Sequence, residues 1–195
     1  MLVPENIDNS SQQLTGQQNN NVDWGKEIIT PPQQEQIGNP STQLTCGEKT
    51  GYSTKGLDFY GPVSYSLSDN NPVKTEIKWG VQYNDSNMQN DSHTGSLRVR
   101  LYAVPKSYSG SSLDGYVIGE YFPSFNGSGS ASTDQLKINY NVEGIVSKDE
   151  RNIKVPSGKY CTVITLEEFD KQTCLSTDHF CIQSWMQFKD PATFF

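Results

Sequence analysis

No stretch of this 195-residue chain repeats apolar residues at helical period, and strong helix formers are thin, with three alanines and three methionines in all. No apolar run approaches the roughly 18–20 residues needed to cross a bilayer as a helix, so a helical membrane span is excluded. Basic residues are few and scattered. Lys and Arg number 15 against 22 acids, a net charge of −7, and no cluster grips a phosphate backbone, which excludes nucleic acid as a partner. The opening MLVPENID lacks the basic and apolar regions of a secretory leader, so an exported form is expected to have lost one. Histidine is nearly missing, with His93 and His179 alone, and none of Cys46, Cys161, Cys174 and Cys181 belongs to a CxxC pair. A tetrahedral zinc site would therefore have to gather ligands from distant places.

Four cysteines in a polar, tyrosine-rich chain read instead as two disulfides, and hence as an oxidising, extracellular compartment. Of the three possible pairings, Cys46–Cys161 and Cys174–Cys181 are favoured. The second closes the short loop CLSTDHFC, and the first ties the entry segment onto a central strand.

Residues 1–45 are of low complexity, with eight glutamines, six asparagines and the pair Pro31–Pro32. Five acids stand there against Lys26 alone, so four of the seven net negative charges belong to this segment. It holds too little apolar surface to offset the entropy of ordering it, and reads as a tail or stalk. Val22–Trp24 with Ile28–Ile29 is the one piece apolar enough to dock on the body, residues 46–195.

From Cys46 onward the pattern is strands and turns. In Val73–Tyr83 the residues Val73, Thr75, Ile77, Trp79, Val81 and Tyr83 share one face, and Lys74, Glu76, Lys78 and Gln82 share the other. Ser96–Val104 repeats this, with Leu97, Val99, Leu101 and Ala103 directed inward and Arg98 and Arg100 outward. Phe59–Leu67, Gly115–Phe122, Leu136–Val142, Tyr160–Phe169 and Phe180–Phe188 complete the set. Alternation in seven runs separated by Gly/Ser/Asn/Asp loops predicts an all-β fold, an antiparallel β-sandwich of about seven to eight strands with one wet face per sheet.

The order SLRVRLYAVPKSYSGSSLDGYVIGEY, VPSGKYCTVITLEEFD and HFCIQSWMQF resembles a module of bacterial extracellular proteins. Its LRLxLWA strand falls at Leu97–Ala103, its Ser/Tyr/Ser/Gly loop at Ser107–Gly110, its GYxxAEY strand at Gly115–Tyr121 and its PxGxY turn at Pro156–Tyr160. The closing hairpin spans Val163–Phe188; Tyr102 stands where the module has tryptophan and Phe169 where it has tyrosine. The resemblance covers about half the chain. It implies an extracellular β-sandwich, often appended to other domains and without a fixed catalytic role, here a stand-alone secreted factor of a Gram-negative bacterium. The cysteines lie outside the pattern.

Few constellations carry chemistry. In Asn84–Asp91, the residues Asp85, Asn87, Gln89 and Asp91 offer oxygens at every second position, as a calcium loop would. The run lacks the EF-hand glycine and closing glutamate, and such loops also serve turn formation alone. Calcium is thus the single candidate in a chain otherwise expected to need no cofactor. His93 and His179 have acids only as sequence neighbours, which does not make a nucleophilic triad, and no GxSxG elbow exists. A Cys181 thiolate beside His179 is disfavoured against a disulfide. Glu167 and Glu168 point to opposite faces of their strand, so one of them is expected to be buried or partnered. Glu120 and Glu168 are the carboxylates to test for glycosidase-type hydrolysis; a structural role, accepting hydrogen bonds from loop amides, is preferred. Trp79 and Trp185 are expected to fill the core, leaving Tyr102 and Tyr108 as exposed rings for ligand contact.

These readings converge on a secreted, non-enzymatic protein that recognises a glycan or a host or cell-surface protein. The alternatives are a carboxylate-dependent extracellular hydrolase and an assembly protein acting by strand addition.

Overall fold

The computed structural model describes residues 44–52, 55–85, 91–127 and 129–195. The tail with its docking piece Val22–Trp24, and Asn87 and Gln89, lie outside the described residues. The described residues form twelve strands and no helix. They are β1 (Lys49–Tyr52), β2 (Leu57–Phe59), β3 (Ser64–Asn70), β4 (Val73–Tyr83), β5 (Leu97–Val104) and β6 (Tyr116–Tyr121), followed by β7 (Ser130–Ser132), β8 (Gln135–Leu136), β9 (Tyr140–Arg151), β10 (Gly158–Phe169), β11 (Phe180–Gln187) and β12 (Ala192–Phe194).

Two antiparallel sheets pack face to face. The larger runs β1-β11-β10-β5-β6, with β12 pairing the first residues of β10. In the smaller, β4 is central: β9 pairs along one edge, and β2 and β3 pair in succession along the other. The core between them is built by the alternation of β4 and β5. Val73, Ile77, Trp79, Val81 and Tyr83 meet Leu97, Val99, Leu101 and Ala103, with Ile118, Ile164 and Leu166 from β6 and β10. Each fully buried aliphatic or aromatic side chain there contributes about 1.5–3 kcal/mol relative to exposure.

Three expectations are corrected. Leu136–Val142 is two elements: Leu136 ends the β7–β8 hairpin, Asn139 turns with φ 65°, and β9 begins at Tyr140. Strand β9 pairs only with β4, so it needs no continuous apolar face, and its Glu, Ser, Lys and Asp residues hid its length. Phe59–Leu67 is broken by Gly61 and Pro62, which separate β2 from β3.

The third correction matters most. The outer face of the large sheet is not wet. Cys46, Tyr102, Val104, Tyr108, Cys161 and Val163 form a second apolar cluster there, flanked by Leu44, Leu113, Val117 and Trp185. The entry segment and the loop between β5 and β6 lie over this face. The buried Gln187 side chain fastens both: its Nε2 lies 2.7 Å from the Cys46 carbonyl, 2.8 Å from the Gly47 carbonyl and 3.0 Å from Ser107 Oγ. Its Oε1 accepts the Tyr108 N–H at 2.7 Å.

Cys46 is bonded to Cys161, and Cys174 to Cys181. The first closes a loop of 115 residues and the second a loop of 7, so the first removes more entropy from the unfolded chain. Replacing Cys46 and Cys161 by serine should cost about 4–5 kcal/mol, against about 2–3 kcal/mol for Cys174 and Cys181. Urea unfolding of the two double variants reads the difference; equal losses would contradict this ranking.

Candidate functional site

Past the apolar cluster, the outer face of the large sheet carries an ion network. Arg98 and Glu167 are cross-strand partners on β5 and β10, so their side chains share a face, and both are buried. Arg98 Nε donates to Glu167 Oε2 at 2.8 Å, and the guanidinium makes a second, shorter contact to the same oxygen. Glu167 Oε1 accepts from Thr165 Oγ1 at 2.7 Å and from Tyr102 OH at 3.4 Å. Arg100 Nε donates to Glu120 at 2.6 Å, and Arg151 reaches both Glu120 and Asp149 at 2.8 Å. Asp178 meets Arg98 at 2.8 Å and Arg100 at 3.4 Å.

Three guanidinium groups thus face four carboxylates, and each group has its partners. Burial, then the charge of Glu167, pushes the Tyr102 phenol up to about 12, so it stays protonated and able to donate. Burial works to raise Glu120, but Arg100 and Arg151 outweigh it and hold this carboxyl below its ordinary value. For Asp178, too, burial is overcome, by Arg98 and the Phe180 N–H, and its pKa falls to about 2. The network carries one more carboxylate than guanidinium groups, so it offers no surplus of positive charge.

The candidate carboxylates do not come together. Glu120 sits opposite Arg100 on the outer face, whereas Glu168 sits opposite the core residue Leu97 and therefore on the inner face. Glu168 accepts the Gly95 N–H at 2.9 Å and pairs with Lys55 at 3.5 Å. Arg98, expected to face solvent, is buried, because a covered outer face turns outward positions into a second interior. Tyr102 and Tyr108, expected to be exposed rings, are only 9% and 7% exposed for the same reason. Trp79 fills the core, but Trp185 lies on the outer face, opposite Thr165 of β10 and Gly51 of β1.

Asp85 and Asp91 flank the proposed calcium stretch, and Asp91 is exposed. Among the described residues no three His, Cys, Asp or Glu side chains gather to hold a metal. His93 bonds through Nδ1 to the Thr94 carbonyl at 2.9 Å. Cys181, bonded to Cys174, offers His179 no thiolate.

The feature that sequence reasoning missed is a groove of about 440 Å³ on this outer face. The Trp185 indole lies across β1, where a Cβ on Gly51 would collide with it, so glycine is required there. Tyr108 braces the indole edge-on, with ring centroids 4.7 Å apart, and donates its own hydroxyl to the Ser111 carbonyl at 3.0 Å. The opposite wall is the disulfide loop with Leu175, Ser176, Phe180 and Ile182. Phe180 in turn lies over the Arg98 guanidinium, 3.9 Å from ring centroid to carbon, so this wall rests on the ion network. Tyr52, 77% exposed, and Leu175, 99% exposed, stand at the rim. Among the described residues, the lining contains no Asp, Glu, Lys, Arg or His. The only sequence hint was an isolated glycine followed by an aromatic, Gly51–Tyr52, in a short edge strand.

Fold and site together define a disulfide-bonded, all-β sandwich with an aromatic groove on its larger sheet. No protein-family model matches the chain, and no curated protein or solved structure matches it significantly.

Two outcomes test the ion network. Glu167→Gln removes the buried countercharge of Arg98 and leaves it the half-exposed Asp178 at 2.8 Å, so it should cost less than the roughly 3–5 kcal/mol of an unpaired buried charge, and adding Arg98→Met should recover part of that loss in chemical denaturation. Asp178 has a depressed folded-state pKa, so its contribution is present above about pH 4 and fades as pH falls toward its folded value of about 2. Asp178→Asn should therefore lower Tm at neutral pH and by much less near pH 2; an equal Tm loss at both pH values would contradict the ionic role.

Proposed function

We propose that this chain is an extracellular, non-enzymatic recognition protein whose outer-face groove holds part of a glycan or of a host or cell-surface protein. The observation that carries the reading is the contiguous wall of Tyr52, Leu175, Phe180, Ile182 and Trp185 in a chain of mean hydropathy −0.64. Exposed apolar patches of this kind are uncommon on soluble proteins and mark places where something docks. The volume falls within the ~300–1,000 Å³ of small-ligand sites, and Tyr52 and Trp185 are of the kinds that dominate contact energies. Two disulfides and the resemblance to a bacterial extracellular module support secretion, with a Gram-negative producer as the reading for origin.

Neither alternative gains support. Glu120 and Glu168 lie on opposite faces of one sheet, so they do not flank a scissile bond together. Strand addition is best served by a neutral, apolar edge. Among the sheet edges, β9 carries Glu143, Lys148, Asp149, Glu150 and Arg151, β6 carries Glu120, and β1 is four residues long with Lys49, features of the kind that discourage pairing.

A binding screen of the purified chain against glycan and extracellular-protein arrays tests the proposal. Tyr52→Ala and Leu175→Ser, both at exposed positions, should leave Tm unchanged and weaken binding to the hits by about tenfold. Full retention of binding by both variants would place the contact elsewhere on the molecule.

A further inference from the structure

We infer that the groove takes an uncharged saccharide, a step that rests on the recognition function proposed above and names its ligand class. The first argument is charge. The chain is acidic overall, yet among the described residues the groove lining holds no charged side chain, and the nearby ionic groups of Arg98, Arg100, Glu120, Glu167 and Asp178 pair with one another. A sulfated, phosphorylated or acidic sugar would bring a charge that nothing in the lining neutralises, into a site partly removed from water, at a high desolvation cost.

The second argument is shape. A pyranose ring has an apolar C–H face and a rim of hydroxyls. Trp185, Phe180 and Tyr52 supply flat aromatic surface for the first, and for the second the banks carry the exposed Ser111 hydroxyl and Ser176, whose Oγ donates to the Phe180 carbonyl at 2.9 Å and can still accept. Rings held by packing lose little conformational entropy when a ligand settles on them. Trp185 is fixed between Gly51 and Tyr108, and Phe180 is fixed over Arg98.

The third argument separates a sugar from a peptide. An extended peptide draws much of its affinity from a free row of backbone N–H and C=O groups. Over residues 184–187 the floor strand β11 spends these groups on β1 and β10, so a peptide laid across the floor there finds side chains alone, and meets an open strand edge only at the rim, along β1. Sugar hydroxyls need only side-chain partners.

The test uses the full chain on an array of neutral, sialylated and sulfated oligosaccharides together with extracellular proteins, with hits measured by titration calorimetry. Neutral oligosaccharides should bind, with a Kd that does not change between low and high salt. Tyr52→Ala and Trp185→Ala should weaken that binding about tenfold or more. Because Trp185→Ala removes a ring that packs on Gly51, the exposed Leu175→Asp serves as a second probe. Its new carboxylate should weaken neutral-sugar binding without lowering Tm. Binding confined to charged glycans, or neutral-sugar binding that all three variants retain, would overturn the inference. Protein hits alone that weaken in the groove variants would overturn the sugar assignment while leaving the groove as the recognition site. Hits of no class that respond to the variants would remove both.

Discussion

Burial of strand β10 on both faces is the constraint from which the rest of the structure follows. Eight consecutive residues, Tyr160 to Glu167, are buried. A strand with one wet side alternates, so this run requires a cover on each face. The inner cover is the small sheet, and its contribution is ordinary hydrophobic packing. The outer cover has little apolar surface of its own. It is the entry segment and the β5–β6 loop, held down by the Cys46–Cys161 bond and by the four polar contacts of Gln187. Gln187 makes the cover possible because loop backbone groups lying on a sheet face need partners in the absence of water.

The same constraint explains the ionic network. A covered outer face leaves Arg98 and Glu167 dry, and removing two charges from water costs several kcal/mol each, so net stabilisation by the pair is small. Its effect on register is larger. Arg98 faces Glu167 across β5 and β10, and the next residues in the chain, Leu97 and Val99, belong to the core. A slip of β5 by one residue would turn Arg98 into the space between the sheets and leave Glu167 without its partner. The pair therefore penalises the wrong alignment far more than it rewards the right one.

What the sequence made legible follows from where covers exist. Strand β4 has one packed face and one wet face, and its alternation marked its bounds at Val73 and Tyr83. The fold class and both sulfur pairings were legible for a similar reason, as they depend on local pattern and on chain closure. Alternation is blind, however, to a second cover. Arg98 and Tyr102 occupy outward positions, and only the distant segment around Cys46 and the loop bearing Tyr108 decide that outward here means buried. Trp185 fails the same way: as one more apolar residue on a strand it reads as core, and its place on the outer face is set by its alignment with Thr165 and Gly51. The groove depends on Gly51, Tyr108 and the 174–181 loop meeting in space, a convergence of three remote segments with no common motif.

That convergence also ties the groove to the scaffold beneath it. Phe180 is at once a wall of the groove and the lid over Arg98, whose guanidinium is fixed by Glu167 on the floor and by Asp178 in the disulfide loop. The wall bearing Leu175 is thus anchored at two points, the Cys174–Cys181 bond and the Asp178–Arg98 contact. On the facing bank, Tyr108 is held through its N–H by Gln187 and through its hydroxyl by Ser111. Both banks are thus held by bonds within the fold. A loop-built site normally loses affinity to the entropy of ordering its loops, and here that ordering is already part of folding. The polar network, with its guanidinium groups and carboxylates paired across β5, β6, β10 and the disulfide loop, is thus a rigid foundation beneath the groove.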